Sequence, residues 1–472
     1  MEDVCAIILA GGKGKRMNSD KPKVLSEVLF TPMLEWVISN IEGAGIDRIC
    51  VVTGYRAEMV DEYLGGRYET AYQAEQLGTG HAVMQAREFL EKCRGDVLVL
   101  NGDAPFVDSD TIRNSLTHHR NCSNAATVIT ATVDDPTGYG RILRDENGFL
   151  SAIREEKDAT PEEKRIKEVN SGAFWFNCGV LLNVLGKLTT SNAAGEYYLT
   201  DAIDIIISMV MHAGAYVSGN PGVAMGANSR AQLAGLNETA RRMLIERAYE
   251  NGADIPCTDG VIIGRGVEIG RDTLILPGTI LTGSTSVGNG CVIGPNTSLL
   301  DVTVGNGTRL DNVRATNATV GSGCDIGPFV QIRPNTEIHD NVHLGNFVEV
   351  KNSVIDDGTK VSHLTYVGDS DVGKNVNFGC GTVTVNYDGK NKHRTSIGDN
   401  SFIGCNTNLI APVKIGSYGF TAAGSTITDD VPDGSMGIAR SRQTNKLNWV
   451  FDRRPLKNMP ENPCAGDKSE DM

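Results

Sequence analysis

The chain has 472 residues, 40% of them hydrophobic and 22% charged, which is too long for one ordinary core and predicts two or three domains. A formal net charge of −14 disfavours sequence-independent binding to nucleic acid or an anionic membrane, which relies on a basic surface, so an anionic substrate has to meet a local cluster of cations. The opening MEDVCAIILAGG has no cationic stretch followed by a long apolar one, and the apolar segment DIIISMVMHAGAYV is cut by His212 and too short to span, which predicts a cytoplasmic chain with no membrane segment.

Up to about residue 250, short apolar runs alternate with helix-length segments, the pattern of a parallel α/β sheet. Val4 to Leu9 is the first predicted strand. Thr31 followed by Pro32 reads as an N-cap and a first-turn proline, with Gly43 and Gly45 as the stop of that helix. Ile49 to Thr53 returns as a strand, and Val97 to Leu100 runs into Asn101, Gly102 and Asp103 at the carboxyl edge, where open α/β sheets bind ligands. Ser229 to about Asn251, rich in Ala, Leu, Arg and Glu, reads as a connecting helix.

Beyond residue 260 the period changes. Aliphatic residues recur every sixth position at Ile263, Ile269, Ile275, Leu281, Val287, Ile293 and Leu299. The period resumes from Val320 to Val350 and again from Ile397 to Ile415, often with a glycine next in line. This predicts a parallel β-helix of hexapeptides, aliphatic side chains inside and glycine or asparagine at corners where positive φ is tolerated. The segment CGTVTVNYDGKNKHRTS, at about 379–396, interrupts the repeat and reads as a loop projecting from the prism. The predicted division is 1–228, a linker helix 229–250, the β-helix 251–436 and a tail 437–472. None of the eleven cysteines forms a CxxC pair, so they are read as reduced, mostly buried thiols.

After the first strand, LAGGKGKRM and then Lys21-Pro22-Lys23 concentrate glycines and cations. Glycines let backbone N–H groups approach phosphate oxygens, and the cations neutralise charge on a pyrophosphate leaving group. The loop is neither a Walker A sequence nor the spaced dinucleotide motif. Together with QAEQLGTGHA (73–82), NGD (101–103), GYGR (138–141), Glu155, Asn170-Ser171-Gly172 and GEYYLTD (195–201), it resembles the sugar-nucleotide pyrophosphorylases. The QAEQLGTGHA segment narrows the likeness to N-acetylglucosamine-1-phosphate uridylyltransferases. The resemblance implies that Leu9, Ala10, Gly11, Gly12, Gln73, Gly78, Thr79, Asn101 and Gly102 hold UTP, and that Gly140, Glu155 and Asn170 hold the sugar. It implies further that Asp103 and Asn228 bind Mg2+ while Arg16 and Lys23 stabilise the charge of the transfer. His81 reads as packing at a helix start. The chain departs from the family at Gly11, where alanine is common, at Lys15, commonly threonine, and at Asn101, commonly tyrosine, which bears on nucleotide preference.

In the second half, Arg333, Glu349, Lys351, HLTY (363–366), Gly368-Asp369, Asn377, NYDG (386–389) and Lys392 resemble the acetyltransferase half of bifunctional uridylyltransferase/glucosamine-1-phosphate acetyltransferases. The likeness covers nearly the whole chain. It implies a left-handed β-helix, His363 as the base that takes a proton from the glucosamine amine, and Glu349 as its orienting carboxylate. Arg333 and Lys351, three hexapeptides apart, would grip the sugar phosphate, with Tyr366 and Asn377 on the sugar. Cys380, Asn386, Tyr387, Cys405, Ala423 and Arg440 would contact acetyl-CoA; the family commonly has alanine at 380 and serine at 405. Trp449 with Arg453-Arg454 either covers the cofactor or belongs to a disordered end at PENPCAGDKSEDM. The family assembles as a homotrimer and supplies UDP-N-acetylglucosamine to cell-wall precursors. Two other readings stay open: a glucose-1-phosphate adenylyl- or thymidylyltransferase with a structural β-helix, and a non-catalytic binding module.

Overall fold

The computed structural model describes residues 3–453, and its chain divides into two compact units. The first comprises the residues up to 253 with 260–268 and 280–284; the second comprises 254–259, 269–279 and the residues from 285 onward. Arg454 and the PENPCAGDKSEDM segment lie outside the described residues. No described helix is long and apolar enough to cross a membrane.

In the first unit the strands lie in the order 213–217, 126–132, 168–177, 96–101, 4–9, 49–53, 69–72. Val4–Leu9 pairs in parallel with Ile49–Thr53 on one side and Asp96–Asn101 on the other. Chain order therefore reverses beside the first strand, and the crevice opens past Leu9 and Asn101 at the carboxyl ends. The sheet is mixed, not wholly parallel, because Glu168–Asn177 runs antiparallel to both its neighbours. Five of the six residues of VCAIIL are buried: Ala6 and Ile8 join one apolar layer, and Cys5 and Ile7 the other.

The expected Thr31 cap is not made. Thr31–Pro32 pairs with Glu27–Val28 as a short hairpin, and the helix Met33–Gly43 starts with Pro32 at its N-cap and no side-chain cap bond. A residue preceding proline is disfavoured in the helical region, so the chain enters the helix from extended backbone. Gly43 is the last helical residue, and Gly45, at φ 84°, follows the stop. The helix expected at 229–250 spans Arg230–Glu250, within the first unit, with Ser229 accepting from the backbone of Gln232.

The later strands form a parallel β-helix whose coils return every 16 to 18 residues, as in Ser298↔Arg314, Lys360↔Asn377 and Thr395↔Val413. The two breaks in the sequence period are not breaks in the fold. Buried positions continue through Val304, Leu310 and Ala315 to Val320, and through Ile355, Val361, Val367, Val372 and Phe378 to Thr384. Some steps there are five residues instead of six, so a corner is shortened while the inward ladder persists. The insertion is also smaller than expected. Val383–Val385 stays in the prism, paired with Asn408–Ile410, and the extra residues lie between Asn386 and Arg394. Corner positions at positive φ are taken by asparagines such as Asn341, Asn400 and Asn406, as expected. The glycines directly after the inward residue have a different reason. A Cβ on Gly305 would lie 2.6 Å from the carbonyl carbon of Gly321 in the next coil.

Candidate functional site

In the first unit, two adjoining cavities of about 330 and 410 Å³ share the wall formed by Leu9, Thr79, Asn101, Asp103 and Asn228. One is completed by Gly11, Gly12, Lys23, Gln73 and Gly78, the other by Arg16, Gly140, Glu155, Asn170 and Thr200. Gly11, Gly12, Gln73 and Gly78, expected on the nucleotide, thus line one cavity and Gly140, Glu155 and Asn170, expected on the sugar, the other, while Leu9, Thr79 and Asn101 share the wall with the expected metal ligands.

Local chemistry explains each placement. The buried Gln73 amide donates to the Gly78 carbonyl at 3.2 Å and contacts His81 Nδ1 at 3.2 Å, so His81 positions Gln73 and also stacks on Tyr197. Gly78, at φ 112°, is approached by the Tyr197 backbone so closely that a Cβ would sit 2.5 Å from its oxygen. The glycine at 11 leaves room for Gln73, whose Oε1 would be 2.7 Å from an alanine Cβ there.

Asp103 and Asn228 converge on one cation. The Lys23 ammonium is ion-paired with Asp103 and donates to Asn228 Oδ1 at 2.9 Å, with only about 15% of either charged side chain exposed. The backbone N–H of Asn228 donates to Gln232 Oε1 at 2.8 Å, fixing that amide. A carboxylate and an amide oxygen that cradle an ammonium are also a suitable oxygen donor set for magnesium.

In the sugar-side cavity, Asn170 N–H donates to the Gly140 carbonyl at 2.9 Å, and Thr200 Oγ1 donates to Glu155 Oε1 at 3.2 Å. Burial pushes the Glu155 carboxyl above its ordinary range. Thr200, Gly226 and Gln232 join this cavity without an expected role; Thr200 lies inside the matched GEYYLTD segment, whereas the other two carry no motif signal.

On the prism, Arg333 and Lys351 occupy the same place on successive coils, 18 residues apart, with Arg333 N–H donating to the Val350 carbonyl; the partner of Lys351 on the next coil is Gly368, and Asp369, one position further along, donates its N–H to the Lys351 carbonyl. Lys351 lies against Lys392 of the inserted loop, and this contact pulls its ammonium below the ordinary lysine range. Asp369 accepts from Asn386 and Asn352, and Asn386 Nδ2 also reaches the Tyr366 hydroxyl at 3.4 Å. Gly368 is where the Tyr366 ring lies, so any side chain there would displace it. The loop is tied by Asp388, which accepts from Lys390 and Asn391 N–H groups and from His393 Nε2. Asp369 and Lys392 belong to the matched segments, which imply no role for them.

Glu349 does not meet His363. Its carboxylate takes Arg333 Nη1 at 3.0 Å, and its strand neighbour is Tyr366, whereas His363 faces Asn346. The physical reason is register: three residues along one strand separate the two rows, and the guanidinium one coil below is the nearer charge. Asn377 likewise sits in the row of Lys360 and Phe402, not that of Tyr366.

His363 heads a different row. Gly381 N–H donates to the Leu364 carbonyl, Asn406 N–H to that of Cys380, and Gly424 N–H to that of Cys405. His363, Cys380, Cys405 and Ala423 therefore stack at one corner of consecutive coils, all exposed, and the Arg440 side chain passes Gly424.

Known proteins match over the same two regions. The nucleotidyl transferase family model matches residues 5–220, and the bacterial transferase hexapeptide (six repeats) model matches 266–300 and 317–352. The "Bifunctional protein GlmU" of Caldanaerobacter subterraneus subsp. tengcongensis is 52% identical over 453 residues, covering 96% of this chain and 99% of the relative. The proteins of that name from Acetivibrio thermocellus and Thermoanaerobacter pseudethanolicus are 46% and 49% identical, over 98% and 96% of this chain and 100% and 99% of their own. The chain belongs to the bifunctional GlmU family, with a uridylyltransferase activity and an acetyltransferase activity.

Proposed function

We propose that the chain acetylates glucosamine-1-phosphate from acetyl-CoA on the β-helix and then joins the N-acetylglucosamine-1-phosphate to the uridylyl group of UTP in the sheet crevice. The observation that carries this reading is the wall shared by the two cavities, where Lys23 lies between Asp103 and Asn228. With UTP along Leu9 to Gly12, Gln73, Gly78 and Thr79, and the sugar against Gly140, Glu155 and Asn170, the sugar-phosphate oxygen meets the α-phosphorus at that wall. A P–O bond forms there, the bond to pyrophosphate breaks, and Lys23 and Arg16 balance the leaving charge. Asp103 and Asn228 would hold Mg2+, which supplies further neutralisation of the phosphate oxygens.

On the prism, Arg333, Lys351 and Lys392 would grip the sugar phosphate, with Glu349 steadying Arg333. Tyr366 and Asn377 would hold the sugar. His363 takes the proton from the amine as its nitrogen bonds to the thioester carbonyl; the C–S bond then breaks and coenzyme A leaves as a thiolate that takes up a proton. The corner row from His363 through Cys380, Cys405 and Ala423 toward Arg440 spans four coil steps, about 19 Å, which suits an extended pantetheine arm. Asn386, which bonds to Asp369 and Tyr366, and Tyr387 would complete the site from the loop.

A homotrimer is part of the proposal. Phe329, Phe347 and Leu364 form an exposed apolar ladder at the corner next to His363, with the two phenylalanine rings stacked 5.4 Å apart. Sedimentation of a stable, fully active monomer would overturn it. A cytoplasmic location suits acetyl-CoA and UTP, and the ten described cysteines are free. The decisive assay gives purified chain glucosamine-1-phosphate, acetyl-CoA, UTP and Mg2+ and follows free thiol and pyrophosphate. Both should appear, thiol release first; pyrophosphate formed equally well from unacetylated glucosamine-1-phosphate would refute the order.

A further inference from the structure

Three cysteines used by neither reaction meet at the other edge of the sheet. Cys5 is on the first strand, four residues before Leu9, so roughly 13 Å of strand separates it from the crevice. Cys93 lies in the link between the helix Arg87–Glu91 and the strand Asp96–Asn101. Cys178 opens the helix Cys178–Leu185, with its backbone N–H bonded to the Gly95 carbonyl at 2.9 Å. They are 0%, 6% and 1% exposed, and their three sulfur atoms all lie within 4.8 Å of one another.

We propose that Cys5, Cys93 and Cys178 form a trithiolate site for a thiophilic divalent cation of the zinc or cadmium class. Three sulfurs around a metal at a bond length of about 2.3 Å in a plane stand roughly 4.0 Å apart, so shifts of well under 1 Å bring the observed set to that geometry. The surroundings are apolar, with Val97, Phe176 and Leu181 in the same layer, so a thiolate–cation attraction there is little screened. Soft thiolates select such metals over the oxygen-seeking magnesium of the nucleotide crevice.

The step balances without electrons: M2+ and three Cys–SH give [M(S–Cys)3]− and three protons released to solvent. The remaining negative charge faces the helix N-terminus at Cys178. It also faces the Arg48 guanidinium, which donates to the Lys92 carbonyl, one residue from Cys93, at 3.3 Å. A metal here would tie together a strand, a link and a helix that are 88 and 85 positions apart in sequence, counted as 93−5 and 178−93. Binding to the folded chain alone would raise its stability by linkage.

The test uses the full chain carrying Cys122→Ser, Cys380→Ser and Cys405→Ser, which removes the thiols exposed in the structure. After chelator treatment and incubation with cadmium or zinc, one ion per chain should survive dialysis, with a cadmium–thiolate absorption band and a higher Tm. X-ray absorption should report three sulfur neighbours. Adding Cys93→Ala or Cys178→Ala should abolish retention while the circular dichroism stays native. If those variants do not fold, the sulfur count on the parent chain decides. Loss of all metal on dialysis, a shell of nitrogen and oxygen, or a disulfide joining two of the three in freshly purified protein would each overturn the site.

Discussion

In the sheet unit, Leu9, Gln73, Asp103, Glu155, Asn170 and Asn228 come from separate segments and meet because strands and their following loops end at one edge. On the prism, Arg333 and Lys351, or His363, Cys380, Cys405 and Ala423, meet because the chain returns to the same place coil after coil. The crevice gains half-buried charges that interact strongly, as Lys23 does with Asp103. The prism gains a surface row whose members are exposed and are aligned by register. A substitution in the crevice should therefore perturb both binding and stability, whereas one on the row should act on the acetyl reaction alone.

The largest expected effect is at the row's head. His363→Ala should lower acetyl transfer by about 10²- to 10⁴-fold and leave uridylyl transfer from N-acetylglucosamine-1-phosphate unchanged, measured as separate initial rates. Asp103→Ala should do the reverse, cutting pyrophosphate release by about 10²- to 10³-fold with thiol release intact. If either variant impairs both reactions equally, the independence of the two sites fails.

Glu155→Gln should lower uridylyl transfer by about tenfold through weaker sugar binding, and it should also stabilise the fold at neutral pH. Burial raises the Glu155 carboxyl, so folded stability from this group is full below the ordinary glutamate range and declines as pH rises through the raised value. Thermal melts should show the gain of the glutamine variant at pH 7 and none below pH 4. A gain that persists in acid would mean that the charge is not its cause.

The smallest effect is expected from Lys392→Met. Lys392 holds the Lys351 ammonium below its ordinary range, so the wild-type clamp loses charge on the alkaline side earlier than a normal lysine would. KM for glucosamine-1-phosphate should rise with pH in the wild type, and in the variant that rise should begin at higher pH, against a KM a few-fold weaker at neutrality. An unshifted profile would show that the two lysines do not interact.

Much of this was legible beforehand. The strand Val4–Leu9, the helix after Ser229 and the inward ladder of the prism follow from local period and capping, which depend on neighbours in sequence. The cap expected at Thr31 is not made because a tight hairpin takes Thr31–Pro32 into a strand beside Glu27–Val28, one local signal displacing another. Glu349 was assigned to His363 by likeness, and only the coil register shows that Arg333 is its nearer partner. The apparent gaps in the hexapeptide period had the same origin, since a corner can lose a residue without moving the inward side chain.

By itself, then, the sequence determined two periods, the cationic glycine loop and the histidine of HLTY, because helical pitch, strand alternation and motif spacing are properties of contiguous residues. The tertiary structure alone decided which distant groups share a point: Lys23 between Asp103 and Asn228, Glu349 on Arg333, and Cys5 with Cys93 and Cys178. Those meetings depend on strand order and coil register, which no stretch of contiguous residues encodes.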